Sequence, residues 1–312
     1  MSDAPIVIAH RGASGYLPEH TLAAKALAHG LGADFLEQDV VATRDRHLVV
    51  LHDIHLDDVT DVAERFPERR RDDGRHYVLD FDLAELEQLK VFERRAPGQN
   101  TAKYPQRFPA DRGIFRIATL RDELRLIQGL NRSTGRNVGI YPEIKNPHWH
   151  HQHGIDLARL LIDELNAFGY SHATDAAFVQ CFDHHELARV KHELNCALRL
   201  VQLVGSEPEH ADLLTAQGLE HIAAYAHGLG PSYRQLAEIR AGRLCLAPVT
   251  RLAHEAGLRL HAYTFRRDDL GGYAQTLDEL LEFFFVEARV AGVFCDHPDV
   301  AVRVRNALRE VQ

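Results

Sequence analysis

Short apolar runs alternate with amphipathic helical stretches along the whole chain. Eight runs read as strands: 6–10 (IVIAH), 35–41 (FLEQDVV), 138–144 (VGIYPEI), 177–181 (AFVQC), 198–203 (LRLVQL), 227–231 (HGLGP), 258–264 (LRLHAYT) and 292–296 (GVFCD). Between them lie segments such as IDLARLLIDELNAFG, where Leu157, Leu160, Leu161, Leu165 and Phe168 share one helical face and Gly169 supplies the C-terminal cap. Thr276 and Glu279 stand at capping-box spacing at the head of TLDELLEFFF. Strands alternating with helices predict a parallel sheet. Eight such units predict a closed (β/α)8 TIM barrel of the α/β class.

Some stretches break the alternation. HLVVLHD, 47–53, follows the second strand after about five turn-like residues, too few for a parallel crossover, so it is expected as an extra antiparallel hairpin arm. Pro142 is awkward inside a central strand and is placed at that strand's C-terminal end. Residues 54–118 are dense in charge and proline with little periodicity, which predicts an inserted subdomain within a single 1–312 domain. HWHHQH, 148–153, has metal-like spacings but no evident carboxylate or thiolate partner, and reads as a solvated rim loop. Asp183, ahead of HHEL, reads as a helix N-cap.

Composition narrows the function. The formal charge of −9, from 45 acidic against 36 basic residues, comes with no long basic run, so a nucleic-acid footprint is missing. An anionic substrate would need local basic groups. The longest apolar runs fall short of a membrane span, so no membrane insertion is expected. The opening residues lack a charged n-region and an adequate h-region; the chain as written is expected in the cytoplasm, or in the periplasm if a signal peptide has been removed. Cys181, Cys196, Cys245 and Cys295 are widely spaced without a CxxC, and read as buried free thiols. A homodimer stays open as an assembly.

The chemistry gathers at strand ends. In IAHRGASGYLPEHT an apolar strand runs directly into His10 and Arg11, where desolvation is costly unless an anion is to be held. Strand alternation puts Glu37 and Asp39 on one side, and Glu143 with Lys145 on one side of another strand. Barrels of this type build active sites at their C-terminal strand ends, so three carboxylates converge there. For Glu37 and Asp39 alone, pairing with a nearby Arg or Lys explains them as well as a metal does. Glu143 tips the reading to a cation, and three hard oxygens favour Ca²⁺ or Mg²⁺. His10 and His52 each end an apolar run with alternate positions on one face, and imidazoles titrating near about 6.5 suit an acid–base pair. Arg11 offers a fork for phosphate oxygens and Lys145 a point charge, although both would also neutralise the acids.

With these residues in place, AHRGASGYLPEHT, GADFLEQDVVATRDRHLVVLHD, VTDVAERFP, GLNRSTGRNVGIYPEIKNP, FVQCFD and GVFCDHPDVAV make the chain resemble the glycerophosphodiester phosphodiesterase family, especially its bacterial periplasmic type. That resemblance implies a (β/α)8 barrel with an insertion after the second strand, and metal-dependent hydrolysis of glycerophosphocholine, glycerophosphoethanolamine and similar small diesters to sn-glycerol 3-phosphate and an alcohol. It implies His10 and His52 as general acid and base, Arg11 and Lys145 as phosphate contacts, and Glu37, Asp39 and Glu143 as ligands of one divalent cation. Phe182, Tyr263 and Phe265, where strands end, are expected to pack against the substrate. Many relatives carry Asn where this chain has His20, a departure that leaves the expected site intact. Rival readings are a phospholipase C or D-like enzyme on intact lipid, for which no apolar rim is evident, and a phosphodiester-binding protein without turnover, which would not need two histidines.

Overall fold

The computed structural model describes residues 4–96, 99 and 101–310. Its strands are β1 (Ile6–Ala9), β2 (Phe35–Ala42), β3 (Leu48–Val50), β4 (Gly139–Ile144), β5 (Phe178–Cys181), β6 (Arg199–Val204), β7 (Gly228–Pro231), β8 (Ala237–Arg240), β9 (Arg243–Leu246), β10 (Arg259–Phe265) and β11 (Gly292–Cys295). Eight of them pair in parallel in the order β1, β11, β10, β7, β6, β5, β4, β2, and the β1–β2 pairing closes the ring. The fold is the (β/α)8 TIM barrel. β3 runs antiparallel to β2 with Val41 opposite Val49, as an arm outside the ring.

All eight positions of β2 are buried, because its inner face meets the barrel interior and its outer face the helices. Ile8, Phe35, Tyr141, Phe178, Val201 and Phe294 form an apolar plug inside the ring, with Tyr141 stacked on Phe178 at 4.8 Å. Two and four residues beyond Phe35 on the same face come Glu37 and Asp39. The plug therefore closes the barrel beneath them, and the acids stand on an apolar floor.

Residues 54–118 join the rest through the outer core, where Leu56, Val59, Val78, Phe81, Leu86 and Val91 are buried in the same cluster as the helices around the ring. Of the helix expected over the IDLARLLIDELNAFG segment, Leu157–Ala167 is helical, Leu157, Leu161 and Leu165 are buried, and Gly169 follows at φ +85°. The Thr276–Glu279 capping box and the Asp183 N-cap are both formed.

Several expectations are corrected. HWHHQH is no loop: Pro147–Gln152 is a short helix, started by a proline whose fixed φ suits the first helical position. Pro142 sits inside β4 opposite Gln38, not at its end. It is tolerated there because β4 pairs with β5 only on either side of it, at Ile140–Ala177 and Glu143–Gln180. The hairpin β8–β9 was not foreseen. Its turn residues Ala241 and Gly242 both have positive φ, the conformation of a two-residue hairpin turn, without the Asn-Gly or Asp-Gly pair that signals one. All four cysteines are free thiols, three of them buried and Cys245 half-buried. Among the described residues no helix is long and apolar enough to cross a membrane.

Candidate active site

Ala9 ends β1, and the chain turns sharply through Arg11 at φ +58° and Gly12 at φ +87°. A Cβ on Gly12 would lie 2.8 Å from the Ala24 backbone carbon, so only glycine fits this bend. The bend points the Arg11 backbone N–H at Glu37 Oε2, 2.6 Å away. The guanidinium reaches Asp39 at 3.4 Å and donates to both carboxylate oxygens of Glu19 at 3.0 and 3.1 Å. One residue beyond β4, Lys145 Nζ stands 2.7 Å from Glu143 Oε1 and 3.5 Å from Asp39 Oδ1. His20 Nε2 lies 2.7 Å from Asp39 Oδ2.

Each of the two histidines is backed by its own carboxylate. His10 Nδ1 lies 2.6 Å from Asp296 Oδ1, at the end of β11, and Arg107 donates to the other Asp296 oxygen at 2.6 Å. His52 Nδ1 lies 2.7 Å from Asp53 Oδ1, and Asp53 Oδ2 accepts from Arg94 at 2.7 Å. Arg94 also donates to both oxygens of Glu19, at 2.6 and 2.9 Å. A continuous chain of charge-assisted contacts thus runs Arg11, Glu19, Arg94, Asp53, His52. With Nδ1 engaged, the free ring atom of each histidine is Nε2.

Burial pushes the His10 and His52 rings down to about 4; Arg11 adds to this at both and Lys145 at His52, while Asp296 and Asp39 respectively oppose it. Both imidazoles are therefore neutral near pH 7. Burial and the neighbouring Asp39 raise Glu37 well above the usual carboxylate range, and burial lifts Glu143 to about 7 against the pull of Lys145. Burial would raise Asp39 too, but Lys145, His52 and His20 hold it well below. Two acids are thus kept high by lack of compensating charge, which a divalent cation would supply.

His10, Arg11, Glu37, Asp39, His52, Glu143, Lys145, Phe182 and Tyr263 line one cavity of about 270 Å³. Phe182 packs edge-on to Tyr263 at 5.9 Å and lies 5.8 Å from Lys145 Nζ. Phe265 is corrected: it is fully buried outside the ring, against Tyr233 and Phe284 at 5.2 Å each. Phe265 has the same parity as Tyr263, but the register of β10 against β11 shifts between Ala262 and Phe265, and beyond that irregularity the side chain faces the outer core. The same alternation cannot place His52, because β3 ends at Val50 and its Leu48 and Val50 belong to the outer core. Ligand atoms of His20, Glu37 and Asp39 lie within 4.8 Å of one another, so a histidine joins two of the acids in a group that could hold a metal; His151, Asp156 and Glu186 form another such group, which gives the HWHHQH segment carboxylate neighbours its sequence does not show.

Sequence reasoning missed Asp53, Asp296, Glu19, Arg94, Arg107 and Arg266. Asp53 and Asp296 were detectable, each being the acid that ends a strand-like run beside a candidate site. Arg94 and Arg107 were not, because they lie in the charge-dense insertion, where no period distinguishes one arginine from another.

The chain matches the model of the Glycerophosphoryl diester phosphodiesterase family over residues 10–300. It is 39% identical to a glycerophosphodiester phosphodiesterase of Haemophilus influenzae, over 99% of this chain and 92% of that protein. It is also 39% identical to one of Treponema pallidum, over 96% and 91% respectively. Among solved structures, the glycerophosphodiester phosphodiesterase of Thermotoga maritima superposes with a TM-score of 0.60 at 18% identity, covering 97% of this chain and 100% of that one. An Oleispira antarctica phosphodiesterase, solved with its product sn-glycerol-3-phosphate, gives 0.67 at 21% identity and 98% coverage of both chains. The chain therefore belongs to the glycerophosphoryl diester phosphodiesterase family and is an enzyme of that class.

Proposed function

We propose that the enzyme hydrolyses small glycerophosphodiesters, glycerophosphocholine and glycerophosphoethanolamine among them, to sn-glycerol 3-phosphate and an alcohol, with His10 and His52 as the acid–base pair. The observation that carries this is the pairing of each imidazole, through Nδ1, with a separate carboxylate at the rim of a cavity that also presents Arg11 and Lys145. The product bound to the Oleispira enzyme is the one expected here.

Arg11 and Lys145 bind the phosphodiester and offset the charge building on its oxygens. An Nδ1–H donated to a carboxylate leaves Nε2 as an open lone pair, so each ring is set to accept a proton. One histidine takes the proton of the attacking hydroxyl and its partner, protonated once the anion is bound, gives a proton to the departing alkoxide; attack by water gives glycerol 3-phosphate directly, whereas attack by the neighbouring glycerol hydroxyl gives a cyclic phosphodiester that a water, activated in the same way, then opens. Glu37, Asp39 and Glu143, with His20 bracing Asp39, would hold one Ca²⁺ or Mg²⁺. When bound, that cation supplies positive charge for the phosphate oxygens.

A coupled assay for glycerol 3-phosphate tests the reading. Chelation is expected to abolish release, and Ca²⁺ or Mg²⁺ to restore it; turnover that survives exhaustive chelation would reject the cation. Failure to release glycerol 3-phosphate from either diester would reject the reaction. Asp296→Asn is expected to lower kcat by about tenfold or more, since it releases the His10 ring from its orienting acceptor. An unchanged kcat in a folded variant would remove Asp296 from the mechanism.

A further inference from the structure

His10, Arg11, His52, Lys103 and Arg266 line a second, smaller chamber of about 90 Å³ as well as the main cavity. Its far wall comes from the insertion, as Glu93, Arg94, Tyr104 and Arg107. A phosphodiester has two arms that leave phosphorus in different directions. With phosphorus between the two histidines, one arm enters each space. The main cavity presents the carbon-rich faces of Phe182, Leu203, Tyr263 and Phe294, matched to a glycerol backbone, whereas the smaller chamber is walled by polar groups.

Within that chamber one acid stands apart. Glu93 is 3% exposed, yet its Oε2 is buried without a hydrogen-bond partner among the described residues. The neighbouring arginines are engaged elsewhere: Arg11 and Arg94 with Glu19, Arg94 also with Asp53, Arg107 with Asp268 and Asp296, and Arg266 with Asp296 and the Tyr104 hydroxyl. Burial raises the Glu93 carboxyl to about 8, with Arg107 only partly opposing. A buried acceptor left unpaired is costly, and a ligand that donates to it recovers that cost.

Resting on the hydrolytic reading above, we propose that this insertion-side chamber takes the alcohol arm of the diester, and that Glu93 selects an arm ending in a primary ammonium. The ethanolamine arm brings N–H donors together with a positive charge. The trimethylammonium of choline brings charge but no donor, and is bulkier in a space of about 90 Å³. Glu93 is thereby a specificity residue, outside the acid–base and phosphate machinery.

The test is kcat/KM for glycerophosphoethanolamine and glycerophosphocholine, in wild type and in Glu93→Gln, a substitution of nearly the same shape. The ethanolamine substrate is expected to lose about tenfold or more, the magnitude of a charge-assisted hydrogen bond, while the choline substrate stays within about twofold. Equal losses on both, or no loss on either, would overturn the assignment. Wild type supplies a second measurement that needs no variant: free ethanolamine is expected to inhibit competitively at lower concentration than choline, and equal inhibition would overturn it. Absence of turnover of either diester by wild type would instead overturn the hydrolytic reading, and this one with it.

Discussion

Replacing His52 with alanine is expected to lower kcat by about a hundredfold to ten-thousandfold, the usual contribution of a positioned acid or base, while KM stays within a few fold. The separation of the two constants follows from electrostatics. Burial, Arg11 and Lys145 keep the His52 ring neutral near pH 7, so it contributes no charge to holding an anion in the free enzyme. The proposed phosphate contacts, Arg11 and Lys145, are not removed by the substitution. Asp53→Asn is expected to lower kcat less than His52→Ala, because it leaves the ring in place and removes only its Nδ1 acceptor. Steady-state kinetics of glycerol 3-phosphate release separate the outcomes: a raised KM with unchanged kcat would make His52 a binding residue, and parity between the two variants would mean that orientation is the whole of its part.

The readable and unreadable parts of this molecule divide along a physical line. Period-2 alternation is local, so the eight barrel strands, the antiparallel arm at β3 and the inward pair Glu37 and Asp39 could all be read from neighbours in sequence. Its place at a strand end misassigned Phe265, because the register shift between Ala262 and Phe265 that turns it to the outer core leaves no trace in the local pattern. Pro142 and the β8–β9 turn were misplaced or missed because their tolerance depends on what the adjoining strand does, which no single segment records. The carboxylates paired with the histidines come from opposite ends of the chain, Asp53 beside His52 but Asp296 far from His10 in sequence, and only the closure of β1 against β11 brings the latter pair together. The insertion gave least. Its arginines serve the site through contacts 41 and 75 residues distant in sequence, from Arg94 to Asp53 and to Glu19.

One further group hidden from periodicity sets the largest expected loss of stability. Lys25 and Glu123, both wholly buried, pair at 2.9 Å between the helices Leu22–Gly30 and Leu120–Thr134, and the Lys25 ammonium also donates to the backbone carbonyl of Glu37. Lys25→Met strands Glu123 as an uncompensated buried acid and is expected to destabilise the fold by about 3–5 kcal/mol. The loss should depend on pH with a definite sign. Burial already raises Glu123 to about 7 despite the pull of Lys25, and without Lys25 it rises further, whereas in the unfolded chain it titrates near about 4.3. Between those values the folded variant binds a proton that the unfolded chain has released, so its stability falls as pH rises. Urea denaturation should therefore find Lys25→Met closer to wild type at pH 5 than at pH 8. The double variant Lys25→Met with Glu123→Leu replaces the pair by apolar volume, and is expected to regain most of the stability and to lose that pH dependence. A single variant as stable as wild type at pH 8, or a double variant no more stable than the single one, would show that the pair is not what holds these two helices against β2.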